Sequence, residues 1–160
     1  MSKTLIAFAG KHGCAEECAR TLAEKIGGET VVWNLKEKKQ FDIEGFDKII
    51  IGGSIYAGRI MKEAREFAKK NEAVLEGKTL GLFICGTAEG DTAKKQLEDA
   101  FPPSLYEAAM AKESFGGKLV MSKMNFFEKK IMKAVAKIES DMSNLSPETI
   151  ARFAETIRQA

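Results

Sequence analysis

The chain has 160 residues, 44% of them apolar and 30% charged, with 25 Lys and Arg against 23 Asp and Glu; this is the composition of an ordinary soluble globule, and a single domain over residues 1–160 with a substantial core is expected. No apolar run approaches the roughly 20 residues of a membrane span, and a net charge of +2 without a nucleic-acid motif argues against a nucleic-acid partner. The opening residues carry no signal-peptide pattern, and three cysteines in neither a disulfide framework nor a zinc pattern suit a reducing, cytoplasmic compartment.

Residues 4–9 form an apolar run that breaks into Gly10-Lys11-His12-Gly13-Cys14 and then into a helical pattern from Ala15. A strand, a glycine-bearing turn and a helix start make a ready anion site, because the first backbone N–H groups of a helix lack internal partners and its dipole adds partial positive charge. A phosphate-bearing cofactor is therefore the first functional expectation. The first helix carries Cys18, Ala19, Leu22, Ala23 and Ile26 at helical spacing and closes at Gly27-Gly28. Residues 30–34 and 48–51 are β-branched runs that predict the second and third strands, the third stopped by Gly52-Gly53. A charged helix over 61–71 places Met61, Ala64, Phe67 and Ala68 on one face. Residues 79–85 are almost wholly apolar, as in a strand buried on both faces of a parallel sheet, and this strand is expected to be central. Residues 86–91 read as loop and 92–101 as helix, and a weaker strand lies within 108–115, where Lys112 and Glu113 interrupt it. Residues 125–138 read as an amphipathic helix. Ser146-Pro147-Glu148-Thr149 is an N-cap, a first-turn proline and a capping-box-like run before a terminal helix through Arg158.

Strands alternating with crossover helices predict an α/β fold, a doubly wound five-stranded parallel sheet of order 2-1-3-4-5 with helices on both faces. The ligand crevice of such a sheet lies beyond the carboxyl ends of the strands where the order reverses, here between strands one and three. Three loops meet there. The first holds Gly10, Lys11, His12, Gly13, Cys14 and Ala15; the second holds Gly53, Ser54, Ile55, Tyr56, Ala57 and Gly58; the third holds Gly86, Thr87, Ala88, Glu89, Gly90 and Asp91. Their glycines let a ligand approach the backbone closely. Tyr56 offers a ring to a planar group, the plainer alternative being a surface aromatic, and Thr87 and Glu89 offer polar contacts. No catalytic side chain and no metal site is expected; His12 is the one histidine, so a histidine-based metal cluster or a Ser-His-Asp arrangement can draw on that imidazole alone. Cys14 stands at a helix N-terminus, where thiolate is favoured, though a small residue in a tight turn is the plainer reading; Cys18 and Cys85 read as core. Trp33 ends strand two away from the crevice and reads as packing. A Walker phosphate loop is absent.

The first loop after strand one, Ile51-Gly52-Gly53-Ser54-Ile55-Tyr56-Ala57-Gly58 after strand three, and Cys85-Gly86-Thr87-Ala88-Glu89-Gly90 after strand four resemble the flavodoxin superfamily over nearly the whole chain. Within it the chain looks most similar to the flavodoxin-domain proteins that include the menaquinone-dependent protoporphyrinogen dehydrogenases, on that second loop and on Lys118-Leu119-Val120-Met121 leading into Asn125-Phe126-Phe127-Glu128-Lys129-Lys130-Ile131-Met132. The resemblance implies noncovalent FMN, with phosphate at the first loop and the isoalloxazine between the second and third. An electron-carrier role comes first. Behind it stand an oxidoreductase that passes electrons from a porphyrinogen to a quinone, and a binding module without flavin.

The chain also departs from that pattern. From Leu5 through Arg20 there is no hydroxyl side chain, so Lys11, His12 and backbone N–H groups are left to hold a phosphate. Glu16 and Glu17 suit the helix dipole while opposing a nearby dianion. Electron-carrier flavodoxins resemble strongly acidic proteins and this chain is slightly basic, so its partner is expected to be a redox protein with a different surface, or a quinone. The helix over 125–138 sets Phe127, Ile131, Val135 and Ile138 on one side, with Lys129, Lys130, Lys133 and Lys137 largely elsewhere. That pattern suits peripheral contact with an anionic membrane, the plainer alternative being a helix that covers core.

Overall fold

The computed structural model describes residues 2–37, 39, 42–119, 125–131, 133–134 and 142–160. Its main sheet carries β1 (Lys3–Ala9), β2 (Glu29–Asn34), β3 (Lys48–Tyr56), β5 (Thr79–Cys85) and β6 (Ala111–Ser114) in the spatial order β2-β1-β3-β5-β6. All four pairings are parallel. With β6 counted as the fifth parallel strand this is the expected 2-1-3-4-5 order. β4 (Arg59–Ile60) adds an antiparallel partner to the end of β3. The middle strand is β3 rather than β5, which is interior and buried from Leu80 to Cys85.

Alternation along the strands sends side chains to two separate cores. On one face Ile6, Phe8, Ile50 and Phe83 pack against α1 (Cys14–Ile26) and α7 (Pro147–Gln159). On the other, Leu5, Ile49, Ile51, Leu82 and Ile84 pack against α2 (Lys62–Lys70), α3 (Glu72–Glu76), α4 (Gly90–Ala100) and α5 (Pro103–Ala108). Met61 and Phe67 of the charged helix lie against this second core while Ala64 and Ala68 are buried in it. Trp33 packs there too, edge-on to Phe67 at 5.5 Å.

Two glycines expected to end strand three lie inside it. β3 continues to Tyr56 because Gly52 makes room for a neighbour: a Cβ there would overlap the Phe83 ring, which stacks on Phe115 at 4.8 Å. Ala57 and Gly58 then turn the chain with φ of 52° and 81°. Two consecutive positive φ values give the hairpin turn whose twist matches its strands. β6 tolerates Lys112 and Glu113 because it is an edge strand. Lys112 Nζ donates to the Tyr106 carbonyl at 2.6 Å, and Arg152 pairs with Glu113 at 3.3 Å.

α7 begins as its residues predict, with the Ser146 hydroxyl accepting from the Thr149 N–H at 3.2 Å. At its other end the buried Lys48 ammonium donates to the Ile157 carbonyl at 2.7 Å, a cation at a helix C-terminus. A small hairpin of β7 (Lys118–Leu119) and β8 (Met142–Ser143) leads into α7. α6 (Phe126–Ile131) is the described part of the helix expected over 125–138; Val135, Lys137 and Ile138 lie outside the described residues, as do Val120 and Met121. No helix among the described residues is long and apolar enough to cross a membrane.

Candidate functional site

β1 delivers the chain to the first loop at the carboxyl edge of the sheet. Gly10 is needed there, since a Cβ would stand 3.0 Å from the Ala15 Cβ and 3.2 Å from the Ser54 Oγ. Gly13, at φ 92°, is the N-cap of α1 and offers no side-chain acceptor, so the helix starts with its leading N–H groups uncapped by a side chain. Lys11 and His12 converge on one carboxylate. Glu128 Oε2 accepts from Lys11 Nζ at 2.9 Å and lies 2.8 Å from His12 Nε2, although its side chain is only 3% exposed. The other carboxylate oxygen accepts from the Asn125 N–H at 3.1 Å, and the Asn125 side chain in turn accepts from the Glu128 N–H at 2.8 Å, the reciprocal pattern of a capping box. Burial pushes the Glu128 carboxyl up, but hydrogen bonds from Lys11, the Asn125 backbone and His12 prevail and hold it down to about 2. The Lys11 ammonium is raised in return, chiefly by its hydrogen bond to Glu128.

On the helix after residue 125 the side chain that meets the first loop is an acid. Glu128 is the residue that α6 buries, while Phe126 and Phe127 stand 82% and 67% exposed. A carboxylate can be buried only where it is paired and hydrogen-bonded, and the first loop supplies both. Sequence reasoning missed Glu128 as a site residue. The Asn125 to Glu128 spacing signals the cap, but nothing local in the sequence points to Lys11 and His12 more than 110 positions away.

The second loop is mostly strand. Ser54, Ile55 and Tyr56 belong to β3, and Ala57 and Gly58 are the turn. The Tyr56 ring lies beneath Lys11, with Nζ 4.4 Å from the ring centroid, a cation over an aromatic face. A cavity of about 300 Å³ opens beside it, lined by Tyr56 and Met61 together with Lys11, Lys36, Arg59 and Lys62. The ring is thus set among four cations and one carboxylate, Glu63.

The third loop is strapped from behind. Asn144 donates to the Thr87 carbonyl at 3.1 Å and to Glu89 Oε1 at 3.0 Å, while its own side-chain oxygen accepts from the Gly117 N–H at 2.7 Å. Gly117 must be glycine, because a Cβ would stand 2.6 Å from the Gly86 carbonyl carbon. Asn144 is a second residue that sequence reasoning missed. Gly90 and Asp91 form the first turn of α4, and Ala88, Glu89 and Gly90 face a cavity of about 490 Å³ on the far side of the loop, toward Lys94 and Tyr106. That larger cavity lies away from the first loop. Lys11, His12, Cys14, Ser54, Gly86 and Thr87 instead surround a tight space of about 60 Å³ where all three loops meet. Ser54 and Thr87 thereby bring hydroxyls to a first loop that has none of its own.

The three thiols also come together. Cys14 heads α1, Cys18 follows one turn later, and Cys85 ends β5 beneath them. Their sulfurs all lie within 4.8 Å of one another, and Cys85 Sγ donates to Cys18 Sγ at 3.4 Å. Hydrogen bonds from Cys18 and Cys85 hold the Cys14 thiol well below its ordinary value, and the same sharing, with burial, pushes Cys18 and Cys85 up.

The family model of the Flavodoxin domain matches residues 5–146. The chain belongs to the flavodoxin-domain family. No curated protein matches this flavodoxin-domain chain by sequence. Oxidised Flavodoxin 1 from Bacillus cereus, 18% identical, aligns with a TM-score of 0.62 over 99% of this chain and 98% of that one. Two-electron reduced Megasphaera elsdenii flavodoxin, 14% identical, gives 0.63 over 98% of this chain and 99% of that one. The rubredoxin oxygen:oxidoreductase from Desulfovibrio gigas, 16% identical, gives 0.56, with all of this chain covering 38% of that one. At these identities the likeness is one of fold.

Proposed function

We propose that this flavodoxin-domain protein binds FMN noncovalently where its three loops meet and serves in electron transfer. One observation carries the reading: the first loop takes an anion. Lys11 and His12, beside the uncapped start of α1, hold the Glu128 carboxylate at 2.9 and 2.8 Å in a place where that side chain is 3% exposed. A phosphate offers the same acceptors with more charge, and helix N-termini favour it. Ser54 and Thr87 supply hydroxyl donors, Gly13 starts α1 with no side chain capping its leading N–H groups, Tyr56 presents a ring to a planar group, and Asn144 holds the third loop in place. When bound, FMN supplies reversible one- and two-electron chemistry, and the protein supplies binding, orientation and electrostatics. The three free thiols suit a reducing compartment, the cytoplasm first among them.

The visible spectrum of the purified protein and a fluorescence titration with FMN test this reading, with riboflavin as the comparator that lacks phosphate. Oxidised-flavin bands, or one-to-one binding of FMN at least tenfold tighter than riboflavin, are the expected outcome. A colourless protein that leaves FMN fluorescence unchanged at micromolar concentration sinks it and leaves a flavin-free binding module.

A second reading has one observation in its favour. Phe126 and Phe127 are exposed next to exposed Lys129 and Lys130 on the helix that covers the first loop, a surface suited to a quinone-bearing membrane. That favours an oxidoreductase passing electrons from a small substrate such as a porphyrinogen to a quinone. Porphyrinogen turnover with a quinone, set against simple reduction by a pyridine-nucleotide reductase, separates it from a carrier.

A further inference from the structure

The cysteines form a cluster that the flavin reading does not use. Cys14 and Cys18 are one helical turn apart on α1, and the register of β5 brings Cys85 against them. Among the described residues no carboxylate or imidazole belongs to the group. The sulfurs lie within 4.8 Å of one another, the closest pair at 3.4 Å. An ion in the plane of three sulfurs at a metal–sulfur distance of about 2.3 Å sets them roughly 4 Å apart. The cluster is already near that size.

We propose that Cys14, Cys18 and Cys85 form a three-coordinate site for a soft, thiophilic monovalent cation of the Cu(I) class. Thiolate ligands select such ions, whereas zinc in structural sites takes four ligands in a tetrahedron and finds three here. Burial favours sulfur over solvent at two of the three ligands: Cys18 and Cys85 are 0% and 2% exposed, while Cys14 borders the small space that it shares with Cys85. The uncapped N-terminus of α1, thirteen residues long, offsets part of the anionic charge that coordinated sulfurs carry. Each sulfur that coordinates does so as thiolate, and its proton passes to solvent. Entry runs through the space of about 60 Å³ that Cys14 and Cys85 line together. The proposal does not rest on the flavin reading, but Cys14 borders the space assigned to FMN and heads the helix assigned to its phosphate, so the metal is tested first without flavin.

The test uses the full chain, reduced and kept free of oxygen, with and without added FMN. Cu(I) is titrated in competition with a coloured Cu(I) chelator, and the copper X-ray absorption spectrum of the loaded protein is recorded. One Cu(I) per chain and a shell of three sulfurs at about 2.3 Å are expected in the FMN-free protein. Zn(II) is expected to compete poorly. Cys18→Ser and Cys85→Ser are each expected to weaken Cu(I) at least about 100-fold, because even outer-shell partners of a metal are worth 10–100-fold. Circular dichroism checks that each variant is folded, and the absorption shell of the unmutated chain decides the matter if a variant is not. Failure to take copper from the chelator, a shell of nitrogen or oxygen, binding unchanged in a folded Cys18→Ser variant, or a tighter hold on Zn(II) overturns the proposal. So does a Cys18–Cys85 disulfide in protein that takes up no copper once reduced.

Discussion

At the scale of single residues, Glu128 is the most informative side chain. It is a buried carboxylate whose partners lie on the loop proposed to hold the flavin phosphate. Glu128→Gln removes the negative charge and keeps the shape, so FMN is expected to bind roughly tenfold more tightly, the size of one charge-assisted hydrogen bond at its weaker end. Riboflavin affinity should stay where it is; equal effects on both ligands in the titration would contradict a phosphate at the first loop. The same residue sets a pH dependence. Its carboxyl is held at about 2, below an ordinary 4.5, so the unfolded chain binds the proton first as acid is added. The contribution of Glu128 to stability is therefore complete above about pH 5 and fades as pH falls from about 4.5 toward 2. Urea midpoints of the wild type and Glu128→Gln should differ at about pH 5 and converge as pH falls from there toward 2. Lys11 has the opposite sign: its folded value is raised from 10.5, so its share is present below that pH and is lost only in stronger alkali.

At the scale of elements, the β3–β4 hairpin shows where turn chemistry decides structure. Gly58 sits at φ 81° with nothing within 4 Å of the place a Cβ would take. Gly58→Ala is thus expected to cost about 1–2 kcal/mol from backbone conformation alone, measured as a lower denaturation midpoint with an unchanged slope. The same hairpin explains what could and could not be read beforehand. α1 and α7 were legible because their signals are local: helical spacing with Gly27-Gly28 behind one, Ser146-Pro147 ahead of the other. β4 is two residues long and follows Ala57-Gly58, a pair without the usual Asn-Gly signature. Gly52 and Gly53 look like a stop to a local reading, yet one serves Phe83 from a neighbouring strand and the other leaves room for Ile60, whose Cγ1 would stand 2.8 Å from an added Cβ. The site divides in the same way. Its three loops follow from strand ends and glycines, whereas Glu128, Asn144 and the meeting of Cys85 with Cys14 depend on contacts between distant segments.

At the scale of the whole molecule, one rim of the sheet gathers cations while the helix above it exposes aromatic rings. Lys11, Lys36, Arg59 and Lys62 surround the cavity beside Tyr56, and Phe126 and Phe127 project from α6. If the quinone reading holds, the protein sediments with vesicles containing anionic lipid and stays in solution with neutral ones. Phe126→Ser together with Phe127→Ser should abolish that sedimentation without changing FMN affinity. Sedimentation that is absent at low salt, or indifferent to both substitutions, favours the freely diffusing carrier.

The ring of Phe83 carries a last consequence. It fills the space above Gly52, stacks on Phe115, and meets Phe153 edge-on at 6.3 Å, so while α1 covers β1 and β3 on that side, the β5–β6 end of the sheet is roofed by a helix that starts only at Pro147. During synthesis, a nascent chain that has already made α1 and β5 still presents the apolar patch around Phe83 to its surroundings. Transiently open faces of that kind are what chaperones hold and what aggregation consumes. The interval between making Phe83 and making Phe153 is therefore the vulnerable period in the life of this protein.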